Sequence, residues 1–153
     1  MFTMKRHGTA MFISSVAADT NRVRPLAQAL THRGFEVWAP DGPHAAERWI
    51  FGLTSALKWA DAFLVYCSED YLASASALFE AGALIGRGGL SETRPRVFIL
   101  LGPGVTTKQL PGPLRKVRAV GTAGQSPTHI ASVLARLLLG KRELASARVH
   151  SRC

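Results

Sequence analysis

The sequence predicts an α/β domain built on one parallel sheet. Short apolar runs alternate with helical patterns along the whole chain. One run, Ala62 to Cys67, is apolar throughout, as a strand covered on both faces requires. Glycine and proline punctuate the joins. At 153 residues, with 47% apolar and 19% charged, the chain suits a single globular domain with a sizeable core.

Thr9 to Ser14 reads as a buried first strand. Asp19 or Thr20 is expected to cap the next helix by accepting its first free N–H groups. Val23, Leu26, Ala27 and Leu30 share one face of that helix, and Gly34 follows it where a left-handed residue is needed. Phe35 to Ala39 is the second strand, stopped by the turn Pro40-Asp41-Gly42-Pro43. A helix is expected over 45–60, with Trp49, Leu53, Ala56, Leu57 and Ala60 facing inward and Asp61 at its end. Ala62 to Cys67 is the central strand, and Ser68-Glu69-Asp70 a polar loop.

A helix is predicted from about Ser74 to Gly86, then a glycine-rich loop from Arg87 to Pro95. Arg96 to Leu101 is another buried strand, and Gly102 to Pro113 an irregular surface connection. Val117 to Gly121 forms the edge strand, the fifth. Pro127 opens a last helix with Ile130, Val133, Leu134, Leu137 and Leu138 on one face. The expected domain is 9–140, and 141–153 is a basic, patternless tail. Ligands of such folds bind at the carboxyl ends of the strands, here the loops after Ser14, Ala39, Cys67 and Leu101.

Several functions are disfavoured. No run reaches the roughly 20 apolar residues of a membrane span, so no membrane partner is expected. Lys5-Arg6-His7 before Ala10 to Ala18 resembles a signal peptide only faintly, since Ser14 and Ser15 interrupt it. Cys67 and Cys153 read as free thiols in a reducing cytoplasm. Five scattered histidines have no metal-ligand spacing, so no metal is expected. The net charge of +9 suits solubility or an anionic ligand. The cations gather late, at Lys108, Arg115, Lys116, Arg118, Arg136, Lys141, Arg142, Arg148 and Arg152. Without an aromatic platform beside them, nucleic acid is the less favoured partner. There is no P-loop and no Gly-x-Gly-x-x-Gly after the first strand. The third strand ends in Cys67-Ser68, not in a phospho-acceptor aspartate, and Gly102-Pro103-Gly104 reads as a turn.

Glu80 is the only charge between Ala73 and Gly86, with Ser76, Ala77, Ala83 and Leu84 one turn away. These neighbours are mostly small. Either Glu80 points to water, or it sits in a space those residues leave open.

Five segments, taken in order, resemble a TIR domain over roughly Ala10 to Leu139. They are Met11 to Ser15, Leu30 to Trp38, the Trp49-Leu53-Ala56-Leu57 helix, Phe63 to Ser68, and Tyr71-Leu72. The resemblance implies a flavodoxin-like three-layer αβα sandwich with a five-stranded parallel sheet. It implies an NAD+ glycohydrolase or cyclase cutting the nicotinamide–ribose bond in immune or defence signalling. NAD+ is then substrate, and no cofactor is needed. Glu80 matches the family's catalytic glutamate. Ser14 and Ser15 match the phosphate-side loop, and Ser76 lies four before the glutamate. Trp49 matches the position that stacks on nicotinamide, with core packing as its other reading. Pro40, Asp41, Gly42 and Pro43 match the loop that bridges protomers, which implies a homo-oligomer or filament and a sensor or effector partner. The chain departs from the family where Ser76 replaces an aromatic residue and Val16 and Ala17 replace basic ones.

Two other readings stay open. One is a non-enzymatic adaptor acting by self-association. The other is a nucleoside 2-deoxyribosyltransferase-like enzyme, since Phe79 to Ala83 is also similar to that family's glutamate helix.

Overall fold

The computed structural model describes residues 9–39, 60–88 and 96–138. The expected helix over 45–60 lies outside the described residues apart from Ala60, which is not helical, and so do Trp49, the Pro40 to Pro43 turn and the basic tail. The described strands are β1 (Ala10–Ser14), β2 (Glu36–Trp38), β3 (Ala62–Cys67), β4 (Arg96–Leu101) and β5 (Arg118–Gly121). They form one sheet in the order β2-β1-β3-β4-β5, and every pairing is parallel. The order starts at β1 and runs outward both ways, so crossovers diverge between β1 and β3.

Alternation along each strand divides the core into two layers. Met11, Ile13, Leu64, Tyr66, Phe98 and Leu100 face one layer. Helix α1 (Thr20–His32) closes it with Val23, Leu26 and Leu30, and α5 (residues 127–138) with Ile130 and Leu134. Phe12, Phe63, Val65, Cys67 and Ile99 face the other. The rings of Phe12 and Phe63 meet edge to face, with centroids 6.3 Å apart. Helix α3 (Ala75–Gly88) covers that layer through Ala77, Ala81 and Leu84. All six β3 residues are buried, as an all-apolar central strand predicts.

Local signals place the ends of the elements. Gly34 takes φ +95° after α1, a conformation that strains a side-chain-bearing residue. Asp19 holds the cap position of α1 but makes no side-chain cap bond. Its carboxylate turns inward and accepts the Ser68 hydroxyl proton instead. The buried donor wins because Asp19 is only 3% exposed and needs a partner there. Asp61 lies in the bend before β3, not in a helix. Its Oδ2 accepts the Ala10 N–H at 2.9 Å, and its own N–H donates to the Ala10 carbonyl.

Ser68 to Asp70, expected as a loop, instead opens the short helix α2 (Glu69–Leu72). Ser68 Oγ accepts the Tyr71 N–H at 3.0 Å, and two acidic residues occupy the first turn. The connection after β4 is also more ordered than expected. It holds a 3-10 turn (Thr107–Gln109) and helix α4 (Gly112–Arg115). Leu110 and Leu114, four residues apart, are buried in the α3 layer and pin it.

Gly102 N–H donates to the Cys67 carbonyl at 2.9 Å, extending the β3–β4 ladder to its carboxyl edge. A Cβ at Gly102 stands 3.2 Å from Ser68 Cα and 3.3 Å from the Cys67 carbonyl oxygen. Both are backbone atoms held by the sheet. Gly102→Ala is expected to destabilise the fold by about 1–3 kcal/mol, read as a lower urea midpoint at unchanged slope.

Burial, and secondarily the Asp19 carboxylate, pushes the Cys67 thiol up from 9.0 to about 11. The folded state therefore holds this proton more tightly than the unfolded chain. That contribution is complete below pH 9 and fades as pH rises towards about 11. The stability advantage of wild type over Cys67→Ala, measured by urea unfolding, should shrink across that window. An advantage constant with pH refutes the assignment.

Candidate functional site

The carboxyl edge of the sheet carries the polar residues that the core excludes. β1 ends in Ser14, and the chain runs through Ser15 and Val16 into a 3-10 turn (Ala17–Asp19). β3 ends at Cys67 and runs through Ser68 into α2. Ser74 then opens α3, its Oγ accepting the Ala77 N–H at 3.2 Å. The start of α3 is thereby set beside the end of β1.

Between them lies a cleft of about 400 Å³. It is lined by Ser14, Ser15, Val16 and Ala17 on the β1 side and by Ser74, Ser76, Ala77 and Glu80 on the α3 side. Three small apolar residues leave room, four hydroxyls supply hydrogen-bonding groups, and Glu80 supplies a carboxylate. The Glu80 side chain is half-buried at the rim. Ser76 is exposed, and its hydroxyl lies 3.3 Å from that of Ser74. Glu80 thus borders the space its small neighbours leave and also reaches water.

Ser14 forms the floor and is 1% exposed. Its Oγ lies 2.7 Å from the Tyr71 hydroxyl. That hydroxyl donates to the Ala77 carbonyl at 3.0 Å. A phenol has one proton to give, so Ser14 is the donor to Tyr71. Sequence reasoning missed Tyr71, Ser74, Asp19 and Ser68 as parts of this region. The run Ser68-Glu69-Asp70-Tyr71 carried a signal, a hydroxyl cap followed by acidic residues.

Of the five non-loop residues expected at the site, the structure brings Ser14, Ser15, Ser76 and Glu80 to one cleft. Trp49 lies outside the described residues, as does the Pro40 to Pro43 loop. No three His, Cys, Asp or Glu side chains cluster among the described residues. A second depression of about 310 Å³ is lined by Thr107, Lys108 and Arg115. Its arginine braces the backbone, donating to the Leu110 and Lys108 carbonyls at 2.8 and 3.0 Å. No helix among the described residues is long and apolar enough to cross a membrane.

No curated protein sequence matches this chain. Several solved structures resemble it, two of them as follows. One is a metazoan TIR-STING receptor from C. gigas in complex with 2′,3′-cGAMP, with a TM-score of 0.63 and 19% identity. That match covers 90% of this chain and 41% of the receptor, so the chain spans under half of it. The other is an orphan response regulator from H. pylori, with a TM-score of 0.53 and 11% identity over 88% of this chain and 99% of that one. At such identities the likeness concerns the fold, a flavodoxin-like α/β sandwich. The family model for the TIR domain matches residues 11–138. That span takes in all five strands but for Ala10, and both walls of the cleft, and the chain belongs to the TIR domain family.

Proposed function

We propose that this TIR domain cleaves NAD+ at the nicotinamide–ribose bond, with Glu80 as its catalytic carboxylate. The observation that supports it is the cleft itself, where Glu80 shares one space with Ser14, Ser15 and Ser76 at the carboxyl edge of the sheet. The chemistry asks little more. Nicotinamide leaves a pyridinium as a neutral base, taking the electron pair of the C1′–N bond. No general acid is required. Positive charge builds on the ribose, as in glycoside cleavage. A carboxylate held beside the ring stabilises that charge and accepts hydrogen bonds from the ribose hydroxyls.

Water attack at C1′ gives ADP-ribose and releases a proton, whereas attack by the adenine ring gives a cyclic product. The phosphates lie along Ser14-Ser15 and the amino end of α3, where first-turn N–H groups favour anions. Trp49 stacks on the nicotinamide, and the Pro40 to Pro43 loop joins neighbouring copies in an oligomer that a sensor or effector protein controls. The domain works in a reducing cytoplasm in immune or defence signalling.

A second reading, an adaptor acting by self-association, is favoured by Phe79. This ring is 77% exposed on α3 directly beside Glu80. It is the one large apolar side chain so exposed among the described residues, and a contact surface there would have to extend over neighbouring groups, since contiguous patches and not single rings mark interfaces.

The two readings separate in one set of measurements. Purified protein, alone and assembled, is incubated with NAD+ and nicotinamide is quantified. Glu80→Gln should lower release by about 10²-fold or more with the circular dichroism spectrum unchanged. Undiminished release by Glu80→Gln, or none by wild type in either state, rejects the enzyme reading. Phe79→Ser should leave the monomer folded. If it abolishes self-association and signalling while Glu80→Gln retains both, the adaptor reading stands.

A further inference from the structure

We infer that Tyr71 is the positioning residue of the Glu80 site, because its hydroxyl joins the floor of the cleft at Ser14 to the turn of α3 that carries Glu80. The role in turnover rests on the NAD-cleaving reading above. The mechanical coupling does not.

Tyr71 is fully buried, with 0% exposure, and is anchored at both ends. Its backbone N–H is held by Ser68 Oγ at 3.0 Å, and Ser68 in turn donates to buried Asp19. Its hydroxyl accepts from Ser14 at 2.7 Å and donates to the Ala77 carbonyl at 3.0 Å. The chain of bonds thus runs Ser14 O–H to Tyr71 O–H to Ala77 C=O. Ala77 lies three residues before Glu80, one helical turn. A rigid ring of fixed length therefore sets how far this turn stands from β1, and with it the width of the cleft.

Fully satisfied buried hydroxyl chains of this kind hold a geometry, whereas removing one member leaves the others unpaired. Tyr71 does not line the cleft, so its effect reaches a ligand through Ser14 and Glu80. A carboxylate that acts mainly on the charge developing in the transition state is sensitive to small displacements. Loss of the Tyr71 hydroxyl then lowers turnover more than substrate binding.

The test uses Tyr71→Phe, Ser14→Ala and the double variant in the full chain. Nicotinamide release from NAD+ should show kcat down about tenfold in Tyr71→Phe with KM within about twofold. Amide exchange across residues 78–82 should rise about tenfold in each single variant. In both readouts the double variant should be no worse than the poorer single one, since each substitution breaks the same chain. Circular dichroism confirms that the variants fold, and Ser14→Ala alone still tests the coupling if Tyr71→Phe does not. Unchanged exchange in both single variants, or effects that multiply in the double variant, overturn the inference. Equal losses of kcat/KM through KM alone overturn it as well. If wild-type protein releases no nicotinamide, the NAD reading falls by itself, and the exchange cycle still decides whether Tyr71 couples the two walls.

Discussion

Every side chain of β3 is buried, and the strand is hydrogen-bonded on both edges, to β1 and to β4. A strand in that position tolerates no unpaired polar group along its length, because each would be desolvated without a partner. The rest of the molecule follows from this constraint. Helices must cover both faces, which demands crossovers and makes the pairings parallel. Within the strands, serine and charged residues stand only at the ends, as Ser14, Glu36, Arg96 and Arg118. At the carboxyl edge β1 stops in Ser14 and β3 is followed by Ser68, both buried and both hydrogen-bonded.

Those two serines show how a buried edge is made polar without a penalty. Ser68 donates to Asp19 and accepts from the Tyr71 N–H, so one hydroxyl serves two loops. Ser14 donates to the Tyr71 hydroxyl, which passes its own proton to Ala77. The four-residue helix α2 contributes few apolar contacts of its own beyond Tyr71 and Leu72. Its function is to carry Tyr71 across the gap between β1 and α3. A helix so short has little intrinsic stability, so cap and phenol bonds are what keep it in register.

The periodic parts of the fold were legible in the residues. The alternation of Phe63, Leu64 and Val65 and the i, i+3, i+4 pattern of Val23, Leu26, Ala27 and Leu30 each have one efficient burial solution. The parts that escaped depend on a distant partner. Asp19 has a good helix-cap sequence context, yet Ser68, far along the chain, takes its carboxylate. Ser68-Glu69-Asp70 looks like a loop by composition, yet becomes a helix because Tyr71 has a buried slot to fill. For the candidate site, Glu80 stood out as a lone charge among small residues, which left open whether it faces water, and only the family resemblance gave it a role. Tyr71 was not, because a tyrosine near the end of a core strand is indistinguishable from packing until its hydroxyl's neighbours are known.

The same distinction bears on why the cleft is open. The separation of the β1 end from α3 is set by what is packed between them beneath the cleft, where the interior is dense. Val16, Ala17 and Ala77 are too small to wedge it. Tyr71 is large enough, and it is bonded at the ring's far end to both walls. Small residues at positions 16, 17 and 77 then make room without supplying support, and the phenol supplies support without occupying the room. This division of labour lets a half-buried carboxylate stay beside an accessible cavity in a domain whose core is otherwise closely packed.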